Sequence, residues 1–530
     1  MRSLRSGSRP VPILLALTGV AVAAAMVLPV LHLVVRAAEA DDPVALVVSA
    51  RVAHFTWETL RLAGAVTVVA VVLGVSVAWL VERTDLPGRR VLGVASVLPL
   101  VVPSYIGALA LVSAFGPAGL AVDLPWIIGF WGAFLALTLS TFPYVLLPAR
   151  AALALADPAL EEAARILGDS QRAAFRRVVL PQLQPAAAAG GLLVFLYVLS
   201  DFGAVAIMRY DTLTRGIFLE YRSTFDRARP AVLGVVLVGL TLLAIAAERK
   251  LRGRGGVQPA GAGRRVAPAV ALGRWRWPAA GATVALIVAG VGVPVGVLVW
   301  WIVVGGSRSF RGALLAKAAS TSLLLSIAAA VVAVALCLPV AVLAVRFRSR
   351  LSRAVETLSI AGYALPGLVI GLALVYVTAR YVPIVYQTYY LVVVAYVIRF
   401  FPEALGAVRS SLAQVDPALE DAARSLGSNR LVATATVTIP LIRTGILAGA
   451  ALVFLTAMKE LPATLILRPA GADTLAVRVW TGASEGFYAQ AAVPALLLVA
   501  ASGLVLWPLR VTARVEGRPV PGAPVEGLAE

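Results

Sequence analysis

The chain has 530 residues, 60% of them hydrophobic and only 14% charged, with a mean hydropathy of +0.91. That composition excludes a soluble globular protein and a disordered chain, and marks a polytopic membrane protein. The net charge of +19 reads as a positive-inside signal with attraction to anionic lipid, so the lipid bilayer is an expected partner and nucleic acid is not.

A helical span needs roughly 20 apolar residues. Six candidates lie before residue 248, at about 11–35, 59–81, 91–114, 127–149, 186–208 and 230–247. Six more follow, at about 279–304, 319–345, 357–379, 389–408, 444–467 and 489–510. The first stretch is too long for a signal-peptide core and is read as a retained helix. His32 and His54 lie near the outer end of the first hairpin, far apart in sequence, and make no metal motif. The third stretch, VLPLVVPSYIGALAL, is broken at Pro103, two residues before Tyr105. A break of that kind frees backbone carbonyls, which protein or a wet path must satisfy.

A polar unit, residues 157–181, follows the fourth stretch. The fifth stretch leads through Asp201 into an outer loop of scattered charge. Residues 248–277 are rich in Gly, Pro and Arg and read as a flexible cytoplasmic linker, with Trp275 and Trp277 as interface anchors. Cys337 is the only cysteine, so no internal disulfide forms. The ninth stretch, AGYALPGLVIGLAL, is broken at Pro366. A second polar unit, residues 416–440, precedes the eleventh stretch, which reaches Glu460. Basic residues concentrate in the N-terminal tail, segments 82–90 and 346–353, both polar units, the linker and the C-terminal tail. That bias predicts both termini and both polar units inside.

The two polar units are copies, offset by 259 residues: DPALEEAARILGDSQRAAFRRVVLP and DPALEDAARSLGSNRLVATATVTIP. The same offset carries Phe142-Pro143 to Phe401-Pro402 and Asp201 to Glu460. Asp157 and Asp416 are expected N-caps, with Pro158 and Pro417 at the first helical position. Gly168 and Gly427 are expected to stop each helix at positive φ. A second helix is expected to end at Pro181 or Pro440.

Glu162-Ala163-Ala164, Gly168 and Val178-Val179-Leu180-Pro181 resemble the EAA loop of ABC importer permeases. The second copy matches through Asp421-Ala422-Ala423, Gly427 and Pro440, with Asp421 in place of Glu and Ile439 in place of Leu. The resemblance covers nearly the whole chain. Its two-half plan and its outer stretches are similar to the ferric-iron branch of binding-protein-dependent permeases. It implies that the two loops dock into cytosolic ABC ATPase subunits, two copies, and that an extracytoplasmic solute-binding protein delivers the cargo. Thiamine and polyamine permeases are the alternative within the family. A secondary transporter also shows repeats and broken helices, but needs no paired EAA loops. A membrane-embedded enzyme finds too few catalytic side chains here.

The expected protein is therefore all-α, with residues 1–247 and 278–510 as homologous six-helix halves, 248–277 as linker and 511–530 as a cytoplasmic tail. It is expected in the plasma (inner) membrane. No glycine-rich phosphate loop is present, so ATP is expected on a separate subunit, with no cofactor, metal or catalytic residue in this chain. Candidate path residues are Pro103, Tyr105, Asp201, Pro366 and Glu460. The acidic pair either lines a cation path or braces an outer gate through a basic neighbour, Arg209 or Arg215 for Asp201 and Lys459 for Glu460.

Overall fold

The computed structural model describes residues 11–515 apart from 118, 224–227, 252–268, 306–311, 348, 361, 363 and 364. The expected C-terminal tail beyond 515 and most of the expected linker lie outside the described residues. Among the described residues the secondary structure is helical, with one isolated bridge between Thr84 and Val270.

Eight helices are long and apolar enough to cross a membrane, or ten if each of two bent pairs is one span. The remaining two expected spans correspond to shorter apolar helices, Gly367–Tyr381 and Tyr488–Leu504. The chain is an all-α polytopic membrane protein.

The third span breaks where the sequence requires it. Helix Arg89–Ala95 and a 3-10 turn, Leu98–Val101, meet helix Ser104–Phe115 at 90°. Val102 before the proline is extended, as the proline ring demands. Pro103 has no N–H to continue the turn onto the Leu100 carbonyl. In the second half Pro366 has nearly the same backbone angles, φ −58° and ψ 139° against −57° and 144°, and starts helix Gly367–Tyr381.

The polar units begin as expected. Asp157 Oδ1 accepts the Ala159 N–H at 2.9 Å, and Asp416 Oδ1 accepts that of Ala418 at 2.9 Å. Gly168 and Gly427 stand at φ +99° and +95°. The second helix departs from expectation. In the first half it does not end at Pro181 but runs on, through a π-helical turn at Phe175–Val179, to Ser200. A proline in the first turn of the continuing segment removes no needed donor, and the wide turn before it absorbs the ring. In the second half helix Thr434–Leu441 does stop beyond Pro440 and bends by 64° into Arg443–Met458.

The fifth and eleventh spans are also shorter than expected at their far ends. The fifth stops after Ser200 with Asp201 as its cap, and the eleventh after Met458 with Lys459 as its cap, one residue before Glu460. Short helices Gly203–Ile207 and Pro462–Leu467 follow.

The halves are interlocked. The first span packs on helices Gly312–Arg346, Arg350–Ile360 and Gly367–Tyr381 of the second half. A Cβ on Gly19 would lie 3.0 Å from Leu343, and the Arg36 guanidinium sits 5.9 Å from the Tyr376 ring centre. His32 meets Tyr381 edge-on at 5.9 Å. In return the seventh span, which includes Gly290, lies against the first-half break, with Gly290 packed on Pro99.

Candidate functional site

Two sites repeat across the halves: the polar units at one end and a seam of polar side chains between the halves.

Among the described residues an ion pair ties each polar unit to its own half. Arg83, at the end of the second span, reaches Glu161 at 3.7 Å, and Arg346, at the end of the eighth, reaches Glu420 at 3.0 Å. Thr438 adds a hydrogen bond to Glu420 at 2.8 Å. The opposite face is open. Glu162, Ala163 and Ala422 are exposed, while Ala164, Asp421 and Ala423 are half-buried. Ile166, Leu167 and Leu426 are 85%, 88% and 89% exposed. Bare apolar side chains beside a glycine hinge, on two matching helices, suit a partner surface.

The seam is built from the fourth and fifth spans of one half and their counterparts, the tenth and eleventh, in the other. Its positions correspond at the 259-residue offset, but the residue types do not. The first half supplies Ser140, Tyr144, Tyr197, Ser200 and Asp201; the second supplies Arg399, Glu403, Thr456, Lys459 and Glu460. Four of the five charges therefore lie on one wall. Tyr144 and Tyr197 face each other with ring centres 5.8 Å apart. The equivalent pair, Glu403 and Thr456, is joined by a hydrogen bond of 3.0 Å. Lys459 donates across to the Leu100 carbonyl of the first half at 2.9 Å.

The five expected path residues, Asp201 and Glu460 among them, form the buried back of the seam. Pro103, Tyr105, Asp201, Pro366 and Glu460 are buried, whereas Tyr144, Tyr197, Arg399, Glu403, Thr456 and Lys459 are half-buried. Asp201 accepts the Ser104 hydroxyl at 2.5 Å and the Ala204 N–H at 3.0 Å. It has neither expected basic partner: Arg215 binds Asp211, and Arg209 is not paired with it. Glu460 accepts the Ala463 N–H at 3.1 Å and pairs with Arg399 at 3.2 Å, not with Lys459. The reason is local: Lys459 has the proline-freed carbonyl to bind, and Gly367 leaves room for Arg399. A Cβ on Gly367 would lie 1.7 Å from the guanidinium. Ser104 fills the same place after the first-half proline.

The sequence reading missed Arg399, Glu403 and Thr456, and gave Lys459 the wrong partner. The signal was available, since Arg399 and Glu403 are ionisable residues inside an apolar stretch. Past the acidic pair, Phe202, Phe218 and Trp480 close together, with ring centres 4.7 to 6.1 Å apart. Beyond them a cleft of about 370 Å³ opens between the halves, lined in part by Arg222, Arg468 and Glu485.

Two homologous halves, interlocked around a polar seam and each carrying a matching polar helical unit, define a membrane transport component. The family model for binding-protein-dependent transport system inner membrane components matches residues 70–250 and again 337–514. The chain belongs to that family. It is 35% identical over 490 residues to the Fe(3+)-transport system permease protein FbpB 2 of Haemophilus influenzae, covering 91% of this chain and 95% of that one. It is 24% identical over 483 residues to the ferric transport system permease protein FbpB of Actinobacillus pleuropneumoniae, covering 85% of this chain and 70% of that one. A probable molybdenum ABC transporter permease protein of Haloferax volcanii matches at 37% over 184 residues, 34% of this chain and 68% of that one.

Proposed function

We propose that this chain is the transmembrane permease of an ATP-driven, binding-protein-dependent importer of ferric iron, with both permease halves on one polypeptide. The observation that carries the reading is the near full-length similarity to an Fe(3+)-transport permease, joined to the doubled docking loop. Residues 1–247 and 278–510 are the halves, 248–277 the linker and 511–530 a tail, with both termini cytoplasmic. Two copies of a cytosolic ABC ATPase dock on the units at 157–181 and 416–440. An extracytoplasmic binding protein delivers cargo to the opposite face. Glu162, Ala163, Ala164, Gly168 and Pro181, with Asp421, Ala422, Ala423, Gly427 and Pro440, form the coupling elements.

Cargo passes along the seam. Tyr197, Glu403, Thr456 and Lys459 line it. Pro103, Tyr105, Asp201, Pro366 and Glu460 shape it from behind. Carboxylate and phenol oxygens suit a hard cation. The chain itself catalyses no reaction.

Uptake tests the reading directly. Cells lacking this chain should lose high-affinity ferric uptake and regain it with the wild-type chain. Loss of thiamine or polyamine uptake alone, with ferric uptake intact, would assign the cargo to the alternative.

A further inference from the structure

Lys459 caps the C-terminal end of the eleventh span and is half-buried there, where an ionised group is costly and stays only if it is paired or has a task. Its hydrogen bond is to a backbone carbonyl of the other half, Leu100, at 2.9 Å. That carbonyl is open for a definite reason. The 3-10 turn Leu98–Val101 would use the N–H of residue 103 to satisfy it, and residue 103 is proline. One half therefore makes the vacancy and the other fills it.

No symmetric copy of this bond exists among the described residues. The residue equivalent to Lys459 is Ser200, whose hydroxyl turns back to the Tyr197 carbonyl of its own helix at 3.0 Å. Among the described residues the tie is one-sided, because Ser200 spends its one hydroxyl proton on its own helix. Around it, Arg399 is engaged by Glu460 at 3.2 Å and Asp201 by Ser104 at 2.5 Å. Glu403 differs. It lies on the same wall as Lys459 and is held at 3.0 Å by the Thr456 hydroxyl, one helical turn before Lys459.

We propose that Lys459 is a positioning residue for transport: a latch that ties the two halves through the Leu100 carbonyl and passes to Glu403 when they part. Any separation of the halves at this depth must lengthen the Lys459–Leu100 bond. A bare ammonium at this buried depth is then unfavourable; on its own half Glu460 is already engaged by Arg399, which leaves Glu403, held on Thr456 one turn away, to receive it. Thr456 keeps that carboxylate in place to receive it. The exchange leaves the charge partnered in both arrangements, so the barrier between them stays low. The carboxylates that brace the break, Asp201 and Glu460, take no part.

The inference rests on reading the chain as an ATP-driven permease, and the test separates the two. The full transporter, with its ATPase and binding protein, is reconstituted in liposomes. Spin labels at exposed Leu219 and Ser484, in a Cys337→Ala background, report the distance between the halves. Lys459→Met is expected to raise ATP hydrolysis without binding protein roughly tenfold and to lengthen the label distance, the size set by losing a charged hydrogen bond. Lys459→Arg, which keeps charge and donors, should restore most of both. Glu403→Gln is expected to act in the opposite sense: a stimulated rate reduced about tenfold and a label distance that stays short on ATP binding. If Lys459→Met does not assemble, the Lys459→Arg and Glu403→Gln results decide. Wild-type rates and distances in Glu403→Gln, or a shift of both variants in one direction, overturn the latch. Absence of ATP-driven uptake by the wild-type complex overturns instead the permease reading beneath it.

Discussion

Asp201 and Glu460, 259 residues apart, hold the same backbone contact: each carboxylate accepts the N–H of the residue three positions on, at 3.0 and 3.1 Å. Each thereby fixes the start of the short helix that follows a broken span. Their side-chain partners differ, a serine hydroxyl for one and a guanidinium for the other. The first prediction follows from that difference. Asp201→Asn keeps an acceptor for Ala204 and a polar partner for Ser104, so ferric uptake should stay within about twofold of wild type, whereas Asp201→Ala should lose about 1 kcal/mol of local stability. Glu460→Gln strands the Arg399 charge and should be the more damaging, by roughly 3 kcal/mol. Thermal unfolding in detergent and uptake in cells would show the order. Equal damage from Asp201→Asn and Glu460→Gln would instead favour a direct role for both charges in cation passage.

The second prediction concerns the hinges. Gly168 and Gly427 sit at positive φ with open space around the place a Cβ would occupy. A valine there meets no neighbour and is penalised through its backbone alone, by about 1–2 kcal/mol. Gly168→Val and Gly427→Val should insert normally, yet lose most coupling between ATP hydrolysis and transport. Coupled transport at the wild-type rate in both variants would sink the docking assignment.

Gly367 gives a third test, from the opposite cause. Its φ is ordinary, but the Arg399 guanidinium occupies the space a methyl would need. Gly367→Ala should push Arg399 off Glu460 and cost roughly 3 kcal/mol, the scale of breaking a buried ion pair. Adding Arg399→Leu and Glu460→Leu to Gly367→Ala should recover much of that loss, since apolar residues can replace a buried pair without penalty. No recovery of stability would mean the methyl clashes with something else.

The fourth prediction is of affinity for the ATPase. Leu167 and Leu426 are nearly fully exposed on the two polar units proposed to dock the ATPase. Leu167→Glu with Leu426→Glu should leave the fold intact and weaken ATPase capture at least tenfold, as expected for losing two apolar anchors worth about 1.5 kcal/mol or more each. Co-purification at rising salt reads the effect. Undiminished capture would place the docking face elsewhere.

Much of this was legible in the sequence because its signals are local. Aspartate caps, a glycine at positive φ and prolines that break a span each act within a few residues, and the offset between copies revealed the two-half plan. Proline at the end of the polar unit misled, because Pro181 enters a continuing helix while Pro440 precedes a bend. The ion partners were not legible. Which cation meets Glu460 depends on Gly367, 93 residues away, and on the carbonyl left open at Leu100. Those are questions of space and of unpaired backbone in three dimensions, and sequence neighbours such as Lys459 are a poor guide to them.

The crossing of the first span onto the second half has a consequence for how the chain is made. That helix leaves the ribosome early, and the surface it covers, on helix Gly312–Arg346 and beyond, is translated only after the whole first half and the linker. Until then the main first-half partner of its inward face, among the described residues, is the sixth span. A chain stopped at the linker is therefore left with an uncovered helix in the bilayer, and expressing the two halves as separate genes should succeed only when both are synthesised together.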